Sequence, residues 1–150
     1  MTTTGVTKYA VPVSLLFASL TLVSGHANTD DLAGVSYTCD VAISETDAFL
    51  DEVLIIAHDL ERNQIAVSEP VIEYFDARGY VDGWVATTEG AFVEYAWEFM
   101  ARDGDGTEAL MQYSAELSND DLTVIVRASP QGYDEVYRAM GNCTAEAVDF

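Results

Sequence analysis

The amino-acid sequence predicts an all-β domain, a small antiparallel barrel of about eight strands, with a two-sheet sandwich as the alternative. Two observations lead there. From Tyr37 onward apolar residues recur with a period of two, the signature of strands with one buried face. The runs are also short, and Gly, Asn and Asp clusters interrupt them roughly every eight to twelve residues, as in small barrels and sandwiches.

Taken in order, the first strand alternates Tyr37, Cys39, Val41 and Ile43 against Thr38, Asp40 and Ala42. The stretches 52–59 and 64–68 read as a hairpin around Glu61-Arg62-Asn63. The first of these carries a rival helical stripe, Phe49, Val53, Ile56 and Leu60, but its β-branched content favours strand. Pro70 interrupts, and Val71 to Phe75 is expected as a short edge strand. Val81 to Thr88 forms the next strand, and Thr88-Glu89-Gly90 turns the chain into the clearest one, Ala91 to Ala101. There Val93, Tyr95, Trp97 and Phe99 share one face, with Glu94 and Glu98 on the other.

Asp103-Gly104-Asp105-Gly106 supplies glycines for a hairpin turn. The strand after it points Ala109, Met111, Tyr113, Ala115 and Leu117 inward. Asn119-Asp120 turns again, into Leu122, Val124, Val126 and Ala128, and Tyr137, Ala139, Gly141 and Cys143 alternate in the last strand. Cys39 and Cys143 both fall on inward faces of the terminal strands. If bonded, they make those strands neighbours, as in a closed barrel, or facing layers, as in a sandwich; the short hairpins between later strands favour the barrel.

Residues 1–27 read as a signal peptide. Lys8 gives the positive end, Tyr9 to Val23 the apolar stretch, and Gly25-His26-Ala27 the small residues before cleavage. Pro12, Ser14, Ser19 and Thr21 break the stretch short of the roughly 20 apolar residues a membrane span needs, so no stable membrane insertion is expected after cleavage. Residues 28–150 then form a single acidic β-domain, periplasmic or secreted. In an oxidising compartment an even cysteine pair forms a bridge, the alternative being two buried thiols.

All 26 acidic residues follow the leader and the only lysine lies within it, leaving five arginines against the 26 acids, a balance of −21. That field repels phosphate backbones, so no nucleic-acid partner is expected, and it attracts a basic protein or a cation. Solubility in salty surroundings explains the same charge, because salt shortens the range of self-repulsion.

No catalytic residue, metal site or cofactor is predicted. His58 is the only histidine after the leader; no serine sits in a nucleophile elbow, and His58 is expected at the surface. One histidine and two oxidised cysteines leave zinc without its usual ligands. Asp103, Asp105 and Glu108 are dense in oxygen, but Thr107 occupies the position where a calcium loop needs its third ligand. Glu94 and Glu98 are one pair among many acids and face solvent, which does not single them out as a glycosidase pair.

The aromatic residues Tyr37, Trp84, Tyr95, Trp97, Phe99 and Tyr113 are expected mostly on inward positions. A barrel of this size is either filled by such side chains or just holds a small ligand. Trp97 and Tyr113 are therefore candidate ligand contacts, with room offered by Ala109, Ala115, Ala128, Ala139 and Gly141. Ser129 to Asp134 forms a loop whose Tyr133 is a candidate contact for a partner protein.

Tyr37-Thr38-Cys39, Gly132-Tyr133-Asp134 and Gly141-Asn142-Cys143 together resemble a group of small exported bacterial β-proteins of unassigned function. The leader with Tyr37-Thr38-Cys39 also resembles periplasmic inhibitors of C-type lysozyme, compact barrels with a disulfide near the chain ends. Those carry a Ser-Gly-x-x-Tyr loop aimed at the enzyme; here Ser129 and Tyr133 are present and the glycine is displaced to Gly132. The function expected is a non-catalytic exported binding domain, for a basic partner protein or, like a lipocalin, for a small apolar ligand.

Overall fold

The computed structural model describes residues 33–44, 49–102 and 105–150. The proposed leader therefore lies outside the described residues, as does the first half of the Asp103 to Gly106 turn. Eight strands form a closed antiparallel barrel in simple chain order: β1 Gly34–Ala42, β2 Val53–Asp59, β3 Gln64–Ser68, β4 Val81–Glu89, β5 Phe92–Arg102, β6 Glu108–Ser118, β7 Thr123–Pro130 and β8 Tyr137–Val148. The barrel, rather than the sandwich, is the architecture, and closure leaves no free sheet edge.

Cys39 and Cys143 close the ring. They stand opposite one another in the β1–β8 register and form a disulfide with S–S 2.03 Å, joining residues 104 apart. Next along the seam Gly141 faces Val41, and a Cβ on Gly141 would stand 2.3 Å from the Asp40 carbonyl oxygen. Only glycine permits that approach of the two backbones.

The interior is filled rather than hollow. Trp97 stacks on Tyr113 with ring centroids 5.3 Å apart, and Phe99 stacks on the other side of Tyr113 at the same distance. The three rings come from β5 and β6, where Trp97 pairs with Tyr113 and Phe99 with Met111 in register. Ala115, Ala128 and Ala139 are buried in the same core cluster. Burying these aromatic and aliphatic faces together is the main force closing the barrel.

The two ends differ. Turns 60–63, 90–91 and 119–122 connect strands at one end, where β1 also begins and β8 finishes. At the other end the connections are longer, 43–52, 69–80, 103–107 and 131–136. Among them lies the short helix α1, Pro70–Phe75, which inserts the fully buried Ile72 into the barrel mouth.

Helix α1 replaces the edge strand expected over Val71 to Phe75. Proline at the first helical position has its φ already set and gives up an N–H that would have no partner there. Val71, Ile72 and Phe75 follow helical spacing, and Ile72 and its flanks pack inward together. Trp84 also departs from expectation. The inward residues of β4 are Val81, Gly83 and Val85, so parity turns Trp84 outward, where it is 47% exposed.

Candidate functional site

Each end of the barrel holds a buried polar group, and strand parity explains both. On β2 the residues facing inward are Leu54, Ile56 and then His58. His58 is thus buried, against the surface position expected. Its Nδ1 lies 3.2 Å from the Tyr95 hydroxyl and its Nε2 3.1 Å from Asn63 Oδ1. A neutral imidazole satisfies both contacts if Tyr95 donates to Nδ1 and Nε2–H donates to Asn63. Burial, then the neighbouring Tyr37, pushes the Tyr95 phenol well above its ordinary range. With both ring nitrogens committed, His58 locks the β2–β3 turn to the core. Asp59 completes that turn: its Oδ1 accepts from the backbone N–H of Glu61 and Arg62, and its Oδ2 pairs with Arg62 Nη1 at 2.6 Å.

At the long-loop end the inward series of β3, Ile65 and Val67, continues one step beyond the strand to Glu69. Glu69 occupies the N-cap of α1 but makes no capping bond with its side chain. Its carboxyl turns into the barrel instead, only 3% exposed, with Trp97 Nε1–H donating to Oε1 at 3.4 Å. Burial, reinforced by the charge of Asp51, raises its pKa to about 8. Asp51 itself accepts from the Val71 N–H at 2.8 Å, tying loop 43–52 to the first turn of α1. Tyr113 reaches the same place and donates to the Phe49 carbonyl at 3.0 Å. Its phenol is raised by burial and then by Glu69 and Asp51.

Above this cluster the long loops enclose a hollow of about 420 Å³, lined by Phe49, Phe75, Met111, Tyr133, Glu135 and Tyr137 among others. Phe49 and Tyr137 meet edge to face, 5.1 Å between centroids. Tyr137 donates weakly to Glu135 Oε2 at 3.4 Å. Tyr133 stands on the rim, 65% exposed.

Of the candidate contact residues, Trp97 and Tyr113 come together, but as the packed stack beneath the hollow. Tyr133 lies apart from them, on the hollow itself. The sequence reading missed Phe49, Phe75, Glu135 and Tyr137 as lining, and Glu69 as a buried acid. For Glu69 the signal was available: the alternation of Ile65 and Val67 carried two residues further points an acid inward. The lining residues come from five separate segments, and only closure of the ring assembles them.

Among the described residues no three histidine, cysteine, aspartate or glutamate side chains converge as a metal centre would need, and Glu108 is instead ion-paired with Arg102. Glu98 is exposed and Glu94 pairs across the outer wall with Glu116. No family model, curated protein or solved structure matches this chain.

Proposed function

We propose that the chain is an exported, non-catalytic binding domain that meets a basic partner protein with its long-loop end. The observation carrying this is the apolar hollow at that end, with the exposed Tyr133 on its rim. Tyrosine beside a concave apolar surface is the composition of a contact site. The net charge of −20 supplies the attraction that would steer a basic partner. Commitment of both His58 nitrogens to structural bonds supports a role without catalysis. The leader-like segment and the Cys39–Cys143 bridge support a periplasmic or secreted location.

The test is titration with a C-type lysozyme, a basic protein suggested by the resemblance above, at low and at high salt. Binding that weakens steeply with salt and perturbs residues around Tyr133 is the expected result. A complex indifferent to salt, or none at all, counts against the proposal. A second reading, a carrier of a small ligand, draws support from the lining of the hollow. With the Trp97–Tyr113–Phe99 stack occupying the interior, such a ligand would sit in the mouth.

A further inference from the structure

The hollow is aromatic on several sides and acidic in its charge, a combination that selects for one kind of small molecule. Phe49, Phe75, and the pair Tyr133 and Tyr137 come from three different stretches of chain and border one space. Aromatic ring faces carry partial negative charge and attract cations, most strongly where water is excluded.

The fixed charges act in the same direction. Among the described residues the one cation in the lining, Arg102, is ion-paired with Glu108, so the pair contributes little net field. Glu135 adds an unneutralised carboxylate to the wall, held by the Tyr137 hydroxyl. Beneath the floor, Asp51 adds a second carboxylate, its Oδ2 accepting from the Val71 N–H at 2.8 Å, while Glu69 beside it keeps its proton at neutral pH and adds no charge. A ligand entering from solvent therefore meets rings on its flanks and negative potential ahead of it. The volume of about 420 Å³ lies within the span of small-molecule sites.

We infer that the hollow is a receptor for a small organic cation, a quaternary or tertiary ammonium compound bearing apolar substituents. This rests on the reading of the long-loop end as the binding surface, and it specifies the ligand's chemistry. Methylated ammonium suits the site because its charge is spread over apolar surface. It can leave water for the rings at less cost than a primary amine, and it needs no hydrogen-bond acceptors. A carboxylate of the same shape would be repelled by Glu135 and Asp51.

Three matched probes decide the question by two-dimensional amide NMR on the folded domain: choline, its neutral isostere 3,3-dimethylbutanol and the anion 3,3-dimethylbutanoate. Choline is expected to perturb the amides around Phe49, Phe75, Tyr133 and Tyr137. It should bind roughly tenfold or more tightly than the alcohol, with the anion weaker still. Tyr133→Ala, a change at an exposed rim position, should lower choline affinity about fivefold while the spectrum shows the fold intact. Glu135→Gln should weaken choline several-fold and leave the alcohol unchanged.

Equal binding of choline and the alcohol overturns the inference and leaves the long-loop end standing as a binding surface. Choline shifts scattered over the acidic outer wall and unchanged by Tyr133→Ala overturn it as well. Silence from all three probes also overturns it, while the lysozyme titration decides the protein-binding proposal separately.

Discussion

The two ends of the barrel solve the same problem, a polar side chain forced inward by strand parity, in opposite ways. At the short-turn end His58 finds a neutral partner on each side, Tyr95 and Asn63, and the group becomes part of the frame. At the long-loop end Glu69 finds one long bond from Trp97 and a like-charged neighbour in Asp51, and it remains costly to ionise. A satisfied group stiffens its surroundings, whereas a carboxyl that resists ionisation couples its surroundings to pH. The end with tight turns is thus built for rigidity. The end with long connections, where the hollow lies, carries the group that responds to conditions.

The largest expected effect removes what both ends share. Replacing Cys39 and Cys143 with serine opens the β1–β8 seam, and loss of such a bridge should reduce unfolding free energy by about 2–5 kcal/mol. Urea denaturation measures it, and hydrogen exchange should show protection falling at both ends together. Protection lost at one end alone would mean that the ends are held independently.

Next comes the acid at the long-loop end. Between the ordinary glutamate range and about 8, the folded chain holds a proton on Glu69 that the unfolded chain has released. The contribution of Glu69 is therefore greatest below the ordinary range and declines as pH rises through this window, by on the order of 5 kcal/mol if no other group compensates. Glu69→Gln should flatten the decline in urea midpoints measured across the window. An unchanged slope in that variant would assign the pH response elsewhere and erase the contrast between the ends.

Tyr95→Phe probes the short-turn end. Removing the hydroxyl leaves His58 Nδ1 buried without its partner, with an expected loss of about 1–3 kcal/mol by urea denaturation. Hydrogen exchange should locate that loss at the β2–β3 turn, and a loss appearing at the hollow would contradict the division drawn above. The smallest effect is expected from Asp59→Asn. The bonds that Asp59 accepts, first from the Arg62 backbone, hold its carboxyl below the ordinary range. Its contribution is present above that range and fades as pH falls through the lowered value, so Asp59→Asn should be modestly less stable at neutral pH, with urea midpoints converging on those of the parent chain as pH falls through the lowered value.

The barrel was legible because parity and turns are local properties. Val93 to Phe99 announces an inward aromatic face, and the later strands follow at the positions the alternation marks. Errors arose where hydrophobicity and parity disagreed. Trp84 attracts attention as a large ring, yet its neighbours Gly83 and Val85 face inward and oblige it to face out. His58 and Glu69 are the reverse case, polar residues on inward positions. The helix over Pro70–Phe75 was missed because Val and Ile favour strands by propensity, while the proline before them and the barrel mouth to be filled decide otherwise. The hollow could not be read at all, since its rings lie far apart in the chain.

Because β1 starts and β8 ends on the side of the tight turns, both chain termini of the described domain emerge facing away from the hollow. A tether fixed at either terminus, to a resin, a sensor chip or a neighbouring module, would leave the aromatic mouth directed outward and unobstructed. Orientation on a surface comes with the strand order itself.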